Sequence, residues 1–449
     1  MLEDAIQYYH ELLTPEVAEE ADALMRTRLK EKNLYFGERP LCVVLRPHFY
    51  QEHSWHFIKT GLETLLAAFW RLNTALLADA ELRQQLHLED YENELIEFDN
   101  PTVPPWTSSR LDTFFLPEKG TLKVVEYNAE TPAGIGYGDV LCDVFDELEP
   151  LKRFQEKYNT RHVRSLGTLT DALIAGYRLW GGMKEKPQIG ILDWREVPTL
   201  NEHEITREYF EQQGYRSQLA DPRNLEYRDG ALYSDDFRID LIYKRVLYSE
   251  LVKVMGTDTA VLRAMRDGNV YVTNSISAKM LAKKASLAML SDERNTHIYT
   301  SKQQKAISEF IPWTRYIEER KTEYNGETVD LLEFVSNNKD RFALKPNDDY
   351  GGSGVVLGWQ ASQDGWEATL QNALEQPYVV QEKVEVTQFD FPMWLNNEVD
   401  ISPRYVDADP YIFGGVSVDG VLTRLSPMAL LNVTAGGGSV VPAVIISEK

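Results

Sequence analysis

Cysteine is scarce: Cys42 and Cys142 are the only two in 449 residues. Two thiols cannot build a disulfide framework or a four-thiolate zinc site. The runs around them, LCVVL and VLCDVF, mark both as small buried hydrophobes. So few thiols suit a reducing compartment. Apolar runs are short, none approaching the roughly 18 residues of a membrane span. The opening stretch MLEDAIQYYHELL lacks the basic-then-apolar order of a secretory signal, so a cytoplasmic location is the expectation. Basic residues are in deficit, with Lys plus Arg at 47 against Asp plus Glu at 70, a formal net charge of −23. Such a surface repels nucleic-acid phosphate and anionic lipid, and neither is expected as a partner. A local basic cleft for a small anion remains compatible with it. Short-period repeats, low-complexity tracts and a Ser-His-Asp or Cys-His signature are also missing.

What is present reads as a globular protein. Hydrophobic residues make up 43% and charged residues 26%. The length exceeds one compact core, so two or three packed units are expected. Residues 1–100 read mainly as helix, with PLCVVLRP as a short buried strand between helical stretches. SSRLDTFFL and TLKVVEYNAE read as strands joined by a PEKG turn. From about 160 to 270, helices alternate with the buried strands PQIGILDW and RIDLIYKRV, the pattern of a small α/β unit with a partly parallel sheet. ISAKMLAKKASLAMLSDE reads as a helix, RFALKPN, GVVLGW and PYVVQEKV as strands, and the chain from PMWLNN onward as sheet.

Four stretches carry groups that chemistry uses. On the first hairpin strand Arg110 and Asp112 are two residues apart and share a face, as do Glu126 and Asn128 on the second. A hairpin would gather all four. Asp112, Glu126 and Asn128 are hard oxygen ligands of the kind Mg²⁺ takes beside phosphate, and Arg110 suits a transferring phosphoryl group. The alternative is a solvated strand face with ordinary ion pairs. In FALKPNDDYGGSGVVLGW, Lys345 precedes Gly351, Gly352, Ser353 and Gly354. A glycine-rich turn between strands can cradle phosphate oxygens, although this one is not a GxxxxGK[ST] loop, and a plain hairpin turn fits equally. PYVVQEKV ends in Gln381, Glu382, Lys383 and Val384, placed to meet an adenine edge and a ribose hydroxyl, or to be an ordinary strand. Lys283 and Lys284 lie in an apolar helix, as phosphate ligands or as solvated positions.

Taken in order, these pieces resemble the ATP-grasp superfamily, including D-alanine–D-alanine ligases: RLD, then VVEYN with ETPAG, a helix-borne lysine, a second lysine before a glycine-rich loop, and a hinge strand. The hairpin stands before the lysines rather than last. That order resembles the circularly permuted branch, which includes glutathionylspermidine synthetase, and YNAETP fits it closely. The likeness is good over about 105–140 and 240–385 and weaker elsewhere. No counterpart of the amidase domain of some synthetases is present, so polyamine ligation is not carried over. The resemblance implies an α/β (α+β) fold: a mainly helical region at 1–100, a metal-binding part at 101–150, a pre-ATP-grasp α/β substrate domain at 151–272, and nucleotide-binding subdomains at 273–449.

It implies roles as well. Asp112, Glu126 and Asn128 would hold one or two Mg²⁺ ions, with Mn²⁺ an alternative. Arg110 would stabilise the transferring phosphoryl group. Lys284 and Lys345 would bind the α- and β-phosphates, Gly351 to Gly354 would close over the triphosphate, and Gln381, Glu382 and Val384 would hold adenine and ribose. Arg245 is a candidate for a substrate carboxylate, with Arg404 and Arg424 behind it. The implied activity is a carboxylate–amine ligase that uses ATP through an acyl phosphate, acting on small molecules such as an amino acid or short peptide. The alternatives are a small-molecule kinase and a silent nucleotide-binding module. A homodimer is the default assembly.

Overall fold

The computed structural model describes residues 1–99, 103–349, 352–428 and 438–449. Helices Leu2–Glu11, Pro15–Glu31 and Glu52–Ala78 dominate the first hundred residues. Pro15–Glu31 starts as its sequence dictates. The Thr14 hydroxyl accepts from the Val17 amide at 3.4 Å, and Pro15 fills a first-turn position where a missing N–H costs nothing. Glu52–Ala78 buries Trp55, Ile58, Leu62, Leu65, Phe69, Leu72 and Leu76, a stripe at helical spacing that enters the main core.

The expected strand at PLCVVLRP does not form. Residues 41–47 are buried but irregular, and the strand begins just after them, at His48–Gln51. Backbone donors in this stretch go to scattered acceptors, Leu41 to Leu34 at 3.0 Å and Leu45 to Pro392 at 2.8 Å, so no single ladder is available. Both cysteines are buried and free, as their apolar surroundings suggest.

Three sheets position the cleft described below. Ser108–Leu116 and Thr121–Asn128 form the antiparallel hairpin, turning at Gly120 with φ +58°. They are one end of a seven-stranded antiparallel sheet that continues through Asp409–Phe413, Ser417–Ser426, Glu398–Val406 and Gln388–Leu395, with Ser439–Val441 on a branch. A second sheet holds Tyr271–Thr273, Leu241–Lys244, Ile189–Leu192 and Ser217–Ala220, and all its pairs are parallel. Its two central strands, LIYK and IGIL, are buried at every residue, as strands covered on both faces must be. A third, antiparallel sheet orders Thr314–Tyr316, Tyr378–Glu382, Phe342–Pro346 and Val356–Leu357. Ala443–Glu448 runs parallel to His48–Gln51 and antiparallel to Tyr158–His162, tying residues far apart in sequence.

The expected helix through AKMLAKKASLAML is two short helices, Ala278–Ala282 and Ala285–Ser291, broken at Lys283 with ψ 131°. The cause is Asn347. Its carbonyl accepts from the Lys284 amide at 2.9 Å and its side-chain oxygen from Ala285 at 2.8 Å, so these donors leave the helix ladder.

Candidate active site

Across the hairpin, Arg110 faces Asn128 and Asp112 faces Glu126. Val125 is the extra residue of a bulge, since Thr113 pairs with Val124. The bulge twists the hairpin and aims the four polar groups into one cleft of about 790 Å³. Lys284, Lys345, Gly352, Ser353, Gln381, Glu382 and Val384 line the same cleft. Residues that are far apart in the chain thus meet there. Gly351 lies outside the described residues. Gly354 stands off the lining, where an added Cβ would lie 2.6 Å from the Pro346 ring. Arg404 is also off the lining, half-exposed beside Met393. Arg245 is buried behind the cleft wall, its guanidinium donating to the Thr131 carbonyl at 3.4 Å and the Tyr243 hydroxyl at 3.3 Å.

The centre of the cleft is densely charged. Arg110 donates to both carboxylate oxygens of Asp112, at 2.7 and 3.2 Å, and to the Ala133 carbonyl at 2.9 Å. Asn128 donates to Asp112 at 2.8 Å, and Arg424 reaches Asp112 at 2.9 Å, Asp407 at 2.7 Å and Asp409 at 2.7 Å. Burial disfavours the Asp112 anion, but Arg110 and Arg424 outweigh it and hold its pKa down at about 2. Asp409 is pushed the other way, above the usual carboxylate range, by burial and by Asp112 and Asp407 despite Arg424. The Lys284 ammonium sits 3.1 Å from Glu126 and donates to the Asp349 carbonyl at 2.6 Å. Lys345 donates to the Gln381 side-chain oxygen at 2.6 Å; burial pushes its pKa down to about 8.

Glu382 accepts from the Tyr324 hydroxyl, and its amide donates to the Trp313 carbonyl at 2.8 Å, which fixes the strand end. Behind the centre, Glu130 of the YNAETP stretch pairs with Lys244 at 3.2 Å and Lys279 at 3.3 Å. Asp348, at the root of the glycine-rich turn, pairs with Lys279 at 2.6 Å and Lys283 at 2.9 Å. Lys283 therefore belongs to a buried ion network rather than to a solvated face.

Sequence reasoning passed over Asp407 and Asp409. The signal was available, because YVDADPY places two acids two apart at the start of a strand, the spacing that drew attention to Arg110 and Asp112. The donor set suits a hard divalent cation: Asp112 and Glu126 carboxylates and the Asn128 amide, on one rigid hairpin and already drawing cationic side chains. Among the described residues no three His, Cys, Asp or Glu side chains gather for a metal. Two carboxylates and an amide would suit Mg²⁺, which takes few protein ligands and completes its shell with phosphate and water.

Residues 89–426 match the family described as circularly permuted ATP-grasp type 2. A Frankia alni protein with the provisional name glutamate–cysteine ligase is 27% identical over 341 residues, covering 70% of this chain and 36% of that protein. The chain thus spans about a third of the length of that relative. An uncharacterized Mycobacterium tuberculosis protein is 23% identical over 96% of this chain and 79% of its own length. Among solved structures, a glutathione synthetase-like effector from Globodera pallida, in apo form, superposes with a TM-score of 0.58 at 11% identity, over 96% of this chain and 98% of that one. At that identity the likeness speaks to fold alone. With the hairpin ahead of the lysines in the chain, as circular permutation requires, the chain belongs to the circularly permuted ATP-grasp family of type 2.

Proposed function

We propose that this protein is an ATP- and Mg²⁺-dependent carboxylate–amine ligase that forms an amide bond through an acyl phosphate, releasing ADP and phosphate. The observation that carries the reading is the convergence of Arg110, Asp112, Glu126, Asn128, Lys284 and Lys345 on one cleft. The family consists in general of ligases acting on small molecules, and the provisional name of the Frankia relative points the same way. In this reading residues 101–150 and 273–449 form the ATP-grasp part and residues 151–272 the substrate unit.

Asp112, Glu126 and Asn128 would hold the divalent ion, which when bound neutralises charge on the phosphate oxygens. Lys284 and Lys345 take the phosphates, Gly352 and Ser353 approach them with backbone donors, and Gln381, Glu382 and Val384 hold adenine and ribose. A substrate carboxylate oxygen attacks the γ-phosphorus, the bond to the bridging oxygen breaks, and ADP departs. Arg110, adjoining Asp112, offsets the charge on the transferring group. An amine nitrogen then attacks the acyl carbon. The tetrahedral intermediate expels phosphate, and the nitrogen loses a proton. Water must be excluded meanwhile, because it would hydrolyse the acyl phosphate. Arg245 has a positioning role: it braces Thr131 while Arg110 braces Ala133, so the loop between them is clamped by two guanidiniums.

Product analysis tests the reading. A ligase gives ADP, free phosphate and an amide. ADP with a phosphorylated product would make the protein a kinase, and bound ATP with no turnover under any acid–amine pair would make it a binding module.

A further inference from the structure

The cleft has two apolar ends around its charged centre. One is lined by Ala343 and Leu357 of the third sheet and by Trp359 and Val384 just beyond its strands. In a ligase this end would take adenine. The other is built by Phe36, Leu41, Tyr137, Leu422 and Val440. Leu41, Tyr137, Leu422 and Val440 belong to one buried cluster, and Phe36 is half-buried in the short ribbon before Leu41.

Hydrogen bonds knit this wall together. The Tyr137 hydroxyl donates to the Tyr35 carbonyl at 3.2 Å, and the Val440 amide to the Leu41 carbonyl at 2.7 Å. Gly134 closes the wall toward the reacting centre. Its φ is +103°, and an added Cβ would lie 2.6 Å from the Tyr411 hydroxyl and 2.9 Å from Leu422, so no side chain intrudes. One residue before it, the Ala133 carbonyl holds Arg110. The apolar wall therefore starts where the activated carboxylate would sit. A second acid would find the Arg424 guanidinium already engaged by the Asp112, Asp407 and Asp409 side chains, the last two of which also line the cleft.

Resting on the ligase reading, we propose that the substrate whose carboxylate is activated carries an aliphatic or aromatic body, as in a leucine- or phenylalanine-like amino acid or peptide end, seated against Phe36, Leu41, Tyr137, Leu422 and Val440. A second carboxylate in that seat would lose its water without gaining a partner. The first hundred residues thereby acquire a role, since Phe36 and Leu41 make part of the specificity wall.

The test is calorimetric and thermal-shift titration of the full chain with Mg²⁺ and a non-hydrolysable ATP analogue, adding leucine, phenylalanine, glutamate or glycine. Leucine and phenylalanine are expected to bind at least about tenfold more tightly than glutamate or glycine. Phe36→Ser, at a half-exposed position, should remove about tenfold of that preference while the nucleotide shift persists, and Phe36→Leu should restore it. Glutamate binding as well as leucine, or a preference untouched by Phe36→Ser, would overturn the proposal. A nucleotide shift without discrimination among the acids sinks the wall and spares the ligase reading. Discrimination without any nucleotide shift does the reverse.

Discussion

The Lys345 ammonium stands 3.2 Å from the Val125 carbonyl, joining the third sheet to the hairpin at its bulge. Val125 is the extra residue of that bulge. The same lysine reaches Gln381, so one cation links the hairpin to the hinge strand. Lys345→Met should lower ATP affinity at least about tenfold and turnover about a hundredfold. Stability should change by no more than about 1 kcal/mol, because relief from burying an ammonium offsets two lost hydrogen bonds. Phosphate-release kinetics beside denaturant titration checks both.

Glu126 pairs with Lys284 at the cleft and is about a quarter exposed, its side chain at 28%. Glu126→Gln keeps its shape but removes a hard anionic donor, and Asn128→Ala removes the neutral one. Each should cut turnover at least about a hundredfold while leaving the melting temperature nearly unchanged. Normal phosphate release from either variant would remove the metal assignment.

Arg424 compensates Asp112, Asp407 and Asp409 together. Arg424→Met leaves three buried acids with one fewer cation and should cost about 3–5 kcal/mol of unfolding free energy. Arg424→Lys should recover little, since a point charge cannot span the three acids as a planar fork does. Equilibrium denaturation measures both.

Asp193, beside the buried His203 at 3.5 Å, has its pKa pushed up to about 6 by burial, against the pull of Arg245. The folded state therefore holds a proton that the unfolded chain releases near pH 4. Asp193 by itself should lower stability by about 3 kcal/mol as pH rises from about 4 to about 6, while its neighbour His203, whose pKa burial pushes down to about 3, opposes that slope. Asp193→Asn should remove the Asp193 contribution, so that the variant's stability rises more steeply with pH over this range than the parent's. An unchanged slope would contradict the account of this carboxyl.

Much of the cleft was legible because strand periodicity is local. Alternation puts Arg110 with Asp112 and Glu126 with Asn128, but the two pairs meet only because the extra residue Val125 shifts the register; counted from the turn without it, Asp112 would face Val125. The buried parallel strands were equally plain, since IGIL and LIYK have no polar face. What escaped depends on distant partners. The helix break at Lys283 is made by Asn347, and the buried ion pairs of Lys283 come from Glu92 and Asp348. PLCVVLRP has strand composition but meets no ladder. Phe36 and Leu41 join the cleft only through tertiary packing against Tyr137 and Val440.

The central claim is that this cleft binds ATP with a divalent ion. Thermal stability with and without Mg²⁺ and a non-hydrolysable ATP analogue measures it most directly. At about 100 times its dissociation constant the ligand should stabilise the fold by about 2.7 kcal/mol, and Asp112→Asn should abolish the metal-dependent part of the shift. No shift at millimolar nucleotide, or an equal shift in Asp112→Asn, would contradict it.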